Sequence, residues 1–257
     1  MLLNAETTKA VSETLKAHFD IHGRVPLVCD PVCVATTGHV LLHADAVGTL
    51  IDKLFPLAQV ITPNQAEATL LLKARSLPST ISTLEDMFAA AQNLLKLGPD
   101  AVLLKGGHVS VSADDLINTR FPEGTRVVAA FLVGGHMEIL HKNGKTARVT
   151  DYVVDVLCQR SETRATLYVR PRLQAKSTHG TGCTLSAALA CALGNGLPGK
   201  GHQRGFSFSY SLFSAVQEAV TQATVFTHIG IETAPFIGKG FGPLNHLHSV
   251  SRLVVLP

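Results

Sequence analysis

At 257 residues, 46% of them hydrophobic and 16% charged, the chain is long enough to enclose one sizeable core and too short to argue for two full domains. Its formal net charge of +3 comes from scattered Lys and Arg residues, which gives no basic footprint for nucleic acid. No apolar stretch approaches the ~20 residues of a membrane span, and the first residues show no basic flank followed by an apolar run, so neither membrane nor secretion is expected. Cys29, Cys33, Cys158, Cys183 and Cys191 form no CxxC pair and no Cys/His zinc spacing, which fits reduced thiols in a cytoplasm.

In chain order, Ala10, Val11, Leu15 and Phe19 fall at helical spacing within residues 5 to 19, with Asn4 as N-cap and Gly23 as the stop. Val25 to Cys29 is a short apolar run ended by Asp30-Pro31, the pattern of a buried parallel strand that hands its last residue to a loop. The spacing then predicts a helix over Asp45 to Leu54, a strand over Gln59 to Thr62, a turn at Pro63-Asn64 and a helix over Gln65 to Leu72. Leu84 to Leu97 reads as a further helix that leads into a strand over Ala101 to Leu104.

Strands alternating with helices predict an α/β fold with a doubly wound, mostly parallel sheet flanked by helices. Ligands in such sheets bind beyond the carboxyl ends of the strands, the edge that holds Asp30, Asn64 and Lys105. From Lys105 to Ser177 the pattern becomes β-rich, with stretches such as Val127 to Val133 and Tyr152 to Leu157 separated by polar turns like Lys142-Asn143-Gly144-Lys145. Two or three antiparallel strands are expected there. Thr184 to Leu193 and Ser209 to Thr227 read as helices, and Ala234 to Pro257 as loop or tail.

The sharpest local signal is the glycine-rich turn Gly180-Thr181-Gly182-Cys183, which runs straight into a helix. Glycines let the backbone approach an anion closely, and the first N–H groups of the helix point at it with the positive end of the dipole. Cys183 falls in the first helical turn, where that field favours an anionic thiolate able to accept a proton. The same residues also fit a plain glycine-rich helix start with a buried, inert cysteine.

THGTGCTLSAALA at 178 to 190 resembles the anion-hole motif of the hydroxymethylpyrimidine/phosphomethylpyrimidine kinases, in the ribokinase superfamily. Most of that superfamily carries aspartate where Cys183 stands. CDPVCVATTGHVLL at 29 to 42, ITPNQAEATLLL at 61 to 72 and LLKGGH at 103 to 108 resemble the same family in the same order. The resemblance covers about residues 1 to 250, and 109 to 170 matches it poorly.

That resemblance implies ATP-dependent phosphorylation of a small pyrimidine alcohol, hydroxymethylpyrimidine, and then of its monophosphate, in thiamine biosynthesis. It implies that Cys183 takes the alcohol proton and that Gly180, Thr181 and Gly182 form the anion hole. Lys105 would neutralise the transferring phosphoryl group, and Asp30, Asn64 and Glu67 would face the phosphates, with Glu67 holding Mg²⁺ through water. Asn64-Glu67 fits helix capping equally well, and Asp30-Pro31 a plain turn. His108 and His179 flank these motifs and are assigned no role.

It further implies a kinase domain over 1–233, a β-rich insertion over 109–170 and a tail or linker over 234–257. The family opens with strands and a glycine/serine-rich segment, and this sequence starts at a point resembling its GMLLN segment. A sheet without the usual first strands, a partial substrate pocket and impaired activity are therefore expected. GPLNHLHS at 242 to 249 resembles the joint that leads into a thiaminase-like domain in fungal relatives. The rival readings are a non-catalytic nucleotide-binding fragment and a pyridoxal kinase, the latter usually keeping the aspartate. A homo-oligomer is compatible with the sequence.

Overall fold

A computed structural model describes residues 2, 4–33, 42–107, 109–129, 151–175, 179–195, 215–235, 237, 240 and 242–248. His108, residues 34–41 of the DPV segment, Ser177, Thr178, the turn at Lys142 to Lys145 and the first residues of the helix expected from Ser209 lie outside that set. The chain divides into two compact units, Met1–Gln174 and Ala175–Val254.

The larger unit opens with helix α1, Ala5–His22. Asn4 Oδ1 accepts the Thr7 N–H at 2.9 Å, and Gly23 ends the helix at φ 80° with its N–H on the Phe19 carbonyl. The inward stripe differs from the apolar one read in the sequence, because Thr8, Ser12 and Phe19 are buried while Val11 is 36% exposed. Burying the two hydroxyls leaves no polar group unpaired: Thr8 Oγ1 donates to the Asn4 carbonyl and Ser12 Oγ to that of Thr8.

Strand β1, Val28–Cys29, is followed by helix α2, Ala44–Thr49, which widens through Leu50–Leu54 and tightens through Phe55–Leu57. Strand β2, Val60–Ile61, helix α3, Gln65–Lys73, helix α4, Leu84–Leu95, and strand β3, Ala101–Leu104, come next. Helix α4 starts on a reciprocal Thr83/Asp86 capping box and buries Leu84, Met87, Phe88, Ala91 and Leu94, one face at helical spacing. β1, β2 and β3 pair in parallel, with Cys29 opposite Ile61 and Ile61 opposite Val102. Their carboxyl ends therefore share one edge.

Past β3 lie strand β4, Val111–Ser112, helix α5, Ala113–Asn118, and strands β5, Arg126–Ala129, β6, Asp151–Gln159, and β7, Thr166–Pro171. The sheet order is β1-β2-β3-β6-β7-β5, with β4 also on β6. β6 runs antiparallel to β3 and β7 antiparallel to β6, as the β-rich pattern predicts. The expectation of antiparallel pairing fails for β5, which lies parallel to β7 with Arg126 opposite Thr166. Period-2 alternation shows which face a side chain takes and is silent on strand direction, so the sequence held no signal for that pairing.

In the smaller unit, helix α6, Thr181–Asn195, packs on helix α7, Ala215–Glu232. Residues 242–248, read as loop or tail, are irregular yet fastened down. Leu244 is buried, the Asn245 N–H donates to the Gly230 carbonyl at 3.0 Å, and the His248 ring packs tilted against Phe226 with ring centroids 4.4 Å apart.

Candidate functional site

Three strand ends and one helix start build a charged cluster on the carboxyl edge of the parallel strands. Asp30 follows β1, Asn64 opens α3 just after β2, and Lys105 follows β3. Asn64 and Lys105 form a further parallel bridge, in which the Lys105 N–H donates to the Pro63 carbonyl at 2.9 Å. The Lys105 ammonium donates to Asp30 Oδ1 at 2.8 Å and stands 3.9 Å from Glu67 Oε2. Thr62, which the sequence reading passed over, donates its hydroxyl to the same Asp30 oxygen at 2.9 Å.

Glu67 sits at this edge because it is the third residue of a capping box. The Asn64 side chain accepts the Glu67 N–H at 2.9 Å, and Glu67 Oε2 accepts the Asn64 N–H at 2.7 Å. The capping role weighed in the sequence is real, and the geometry adds to it a carboxylate facing Lys105. Glu67 is only 2% exposed. Burial pushes its carboxyl above the usual range, opposed by the Lys105 charge and the Asn64 N–H, and the nearby Asp30 charge adds to the rise.

One ammonium thus lies between two carboxylates in a part-buried setting. Behind them the Cys29 and Cys33 thiols are pushed up to about 12, chiefly by burial and then by the neighbouring carboxylates. These two cysteines are neutral packing residues at ordinary pH.

The turn after Lys105 is held by residues that sequence reasoning missed. The Gly106 N–H donates to Asp155 Oδ1 at 2.8 Å, and Arg170 Nη1 meets Asp155 Oδ2 at 2.5 Å. Asp155 is 0% exposed. A carboxylate inside the apolar run Tyr152 to Cys158 was the available signal, since such a charge is buried only with a partner.

In the smaller unit, Gly180 takes φ +83°, a left-handed conformation that suits glycine and turns the chain into α6. Thr181 and Gly182 occupy the first turn of α6, at the positive end of the helix dipole. Thr184 closes the turn, with both its N–H and its hydroxyl donating to the Gly180 carbonyl at 2.9 Å. Cys183 is exposed, so the reading of a buried, inert cysteine does not hold.

Among the described residues no three His, Cys, Asp or Glu side chains gather as a metal cage, and no helix is long and apolar enough to cross a membrane. The two carboxylates of Asp30 and Glu67 at this edge are nevertheless the hard-oxygen donor chemistry that suits Mg²⁺, which takes few protein ligands and keeps water and phosphate.

Sheet, helices and charged edge together define a ribokinase-like fold. The pyridoxal kinase of Staphylococcus aureus, solved in complex with AMP-PCP, superposes with a TM-score of 0.64 over 98% of this chain and 67% of that one, at 21% identity. The phosphomethylpyrimidine kinase of Clostridium difficile gives a TM-score of 0.51 over 89% of this chain and 65% of that one, at 24% identity.

The sequence narrows the class. The family model for phosphomethylpyrimidine kinase matches residues 1–130 and 123–201. A hydroxymethylpyrimidine/phosphomethylpyrimidine kinase of Rhizobium meliloti is 32% identical over 250 residues, 96% of this chain and 69% of that protein. A thiamine biosynthesis bifunctional protein of Geobacter sulfurreducens is also 32% identical, over 96% of this chain and 37% of its own length. The chain belongs to the phosphomethylpyrimidine kinase family, and it spans about a third of that bifunctional relative.

Proposed function

We propose that this protein transfers the γ-phosphoryl group of ATP to the hydroxymethyl oxygen of hydroxymethylpyrimidine, and then phosphorylates the monophosphate, as a step in thiamine biosynthesis. The observation that carries the reading is the placement of Lys105 at 2.8 Å from Asp30 and 3.9 Å from Glu67 at the carboxyl edge of the strands. A lysine fixed there is a point charge suited to a phosphoryl group, and catalysis of such transfers is mostly positioning and electrostatics. Names carried by relatives support the substrate, and pyridoxal kinase structures with AMP-PCP and ADP support ATP as donor.

In this proposal Lys105 screens the transferring phosphoryl group, and Asp30 orients Lys105. Gly180, Thr181 and Gly182 take developing negative charge on their N–H groups, and Cys183 accepts the alcohol proton. Asn64 and Glu67 would hold Mg²⁺, Glu67 through water, and the ion supplies charge neutralisation on the phosphates.

The test is to incubate the purified, folded chain with ATP, Mg²⁺ and hydroxymethylpyrimidine and to follow products by mass spectrometry, with pyridoxal alongside. The expected result is the pyrimidine monophosphate followed by the diphosphate, with pyridoxal turned over much more slowly. Folded protein that makes neither pyrimidine product would overturn the proposal.

A further inference from the structure

The turn that follows Lys105 is fixed by contacts that no part of the chemistry above uses. Gly106 lies so close to β6 that a Cβ there would stand 1.8 Å from the Val154 carbonyl oxygen. Its N–H reaches the fully buried Asp155, whose second oxygen is taken by Arg170. Its carbonyl accepts the Val109 N–H at 3.0 Å and closes the turn. From the far side the Arg172 guanidinium donates to the carbonyls of Gly107 and Val109, both at 2.8 Å. Asp151 stands 2.7 Å from Arg172 Nε and accepts the Ser110 hydroxyl at 3.0 Å.

Lys105 is therefore the one residue between two fastened segments. Its N–H is tied to Pro63 of the β2 edge, and the peptide after it is tied to β6 and β7. A lysine side chain has four flexible bonds, so its ammonium returns to one place between Asp30 and Glu67 only when the backbone that carries it is fixed as well as those partners. Two features speak against plain packing. Burying a carboxylate costs more than burying an apolar side chain of similar size. Arg172, with its side chain 25% exposed, turns both terminal nitrogens to turn carbonyls while its Nε faces Asp151.

We infer that Asp155, Arg170 and Arg172 are positioning residues that clamp the Gly106–Val109 turn and so set the position of Lys105. The inference rests on the proposed phosphoryl transfer for its catalytic consequence and on the turn's hydrogen bonds for its geometry.

Arg172→Ala and Arg172→Lys in the full chain separate the two. The readouts are kcat and KM for ATP with hydroxymethylpyrimidine, amide hydrogen exchange at Gly106 and Val109, and the melting temperature. Arg172→Ala is expected to lower kcat about tenfold to a hundredfold, the range a displacement of about 1 Å produces. KM for ATP stays within about threefold, and the Gly106 and Val109 amides exchange at least about tenfold faster while those of α4 do not. Arg172→Lys, still able to reach one carbonyl, recovers part of both effects, and it supplies the comparison by itself if Arg172→Ala does not fold.

Unchanged exchange at Gly106 and Val109, or unchanged kcat, would overturn the clamp. If the wild-type chain turns over no pyrimidine, the proposed function is what fails. The exchange comparison then decides the clamp alone, with local acceleration upholding it and none ending it.

Discussion

The charged edge of the larger unit and the glycine-rich start of α6 in the smaller one handle charge in opposite ways. At the edge, full charges stand against one another: the single Lys105 ammonium between Asp30 and Glu67, and Asp155 against Arg170. At the proposed anion hole at the start of α6 the attraction would come from backbone geometry, with an exposed cysteine beside it and no acidic residue in the first turn. Side chains that carry full charge must be neutralised by one another to be buried, whereas a helix start holds its partial charge at no cost in desolvation. Substitution at the edge is therefore expected to disturb folding and chemistry together, and substitution at the helix start chemistry alone.

The strongest way to break the contrast is Gly106→Ala. The new methyl group would meet backbone, not a flexible side chain, so the turn must leave β6 and give up its bond to Asp155. A loss of about 3 kcal/mol or more is expected, at the upper end of overpacking costs. Denaturant melts that show wild-type stability would mean that the turn does not lie as described.

Cys183→Ala tests the other side. Cys183 is exposed, so melting is expected to stay within about 0.5 kcal/mol of wild type. Phosphorylation of the pyrimidine falls about a hundredfold, the scale of a lost general base. A stability loss comparable to that of Gly106→Ala would erase the distinction between the regions.

Glu67→Gln sharpens it by pH. Burial raises the Glu67 carboxyl above its ordinary value in the folded state, so between that value and the raised one the folded chain binds more protons than the unfolded chain. Stability from this group is then fullest below the ordinary carboxylate range and declines as pH rises through the folded value. The amide can still accept the Asn64 N–H and keeps the cap. Denaturation curves at several pH values should flatten in Glu67→Gln, and an undiminished slope would assign the pH dependence to other groups.

Much of this edge was legible in the sequence because each residue is announced by local pattern. Strand β3 has the bounds its apolar run predicts, Asn4 and Gly23 bracket α1, and the capping spacing placed Asn64 and Glu67 at the start of α3. What stayed hidden depends on pairing across sequence distance. The Thr62 hydroxyl on Asp30 becomes visible only when β2 lies beside β1, and Arg170 on Asp155 and Arg172 on the turn only when β6 and β7 lie beside β3. Period-2 alternation likewise could not show that β5 runs parallel to β7. Residues 242–248 read as tail because their anchors, the buried Leu244 and the bonds of Asn245 and His248 to α7, are too few and too short-spaced to make a periodic signal.

The central claim, that the charge held at Lys105 acts on the transferring phosphoryl group, is tested most directly by single-turnover transfer from saturating ATP in Lys105→Met. Removal of the cation leaves Asp30 and Glu67 uncompensated and is expected to cost about 2 kcal/mol of stability. The transfer rate should fall about a hundredfold to a thousandfold, the scale for loss of one group that stabilises transition-state charge. A folded Lys105→Met chain that transfers phosphate to hydroxymethylpyrimidine at the wild-type rate would contradict the account.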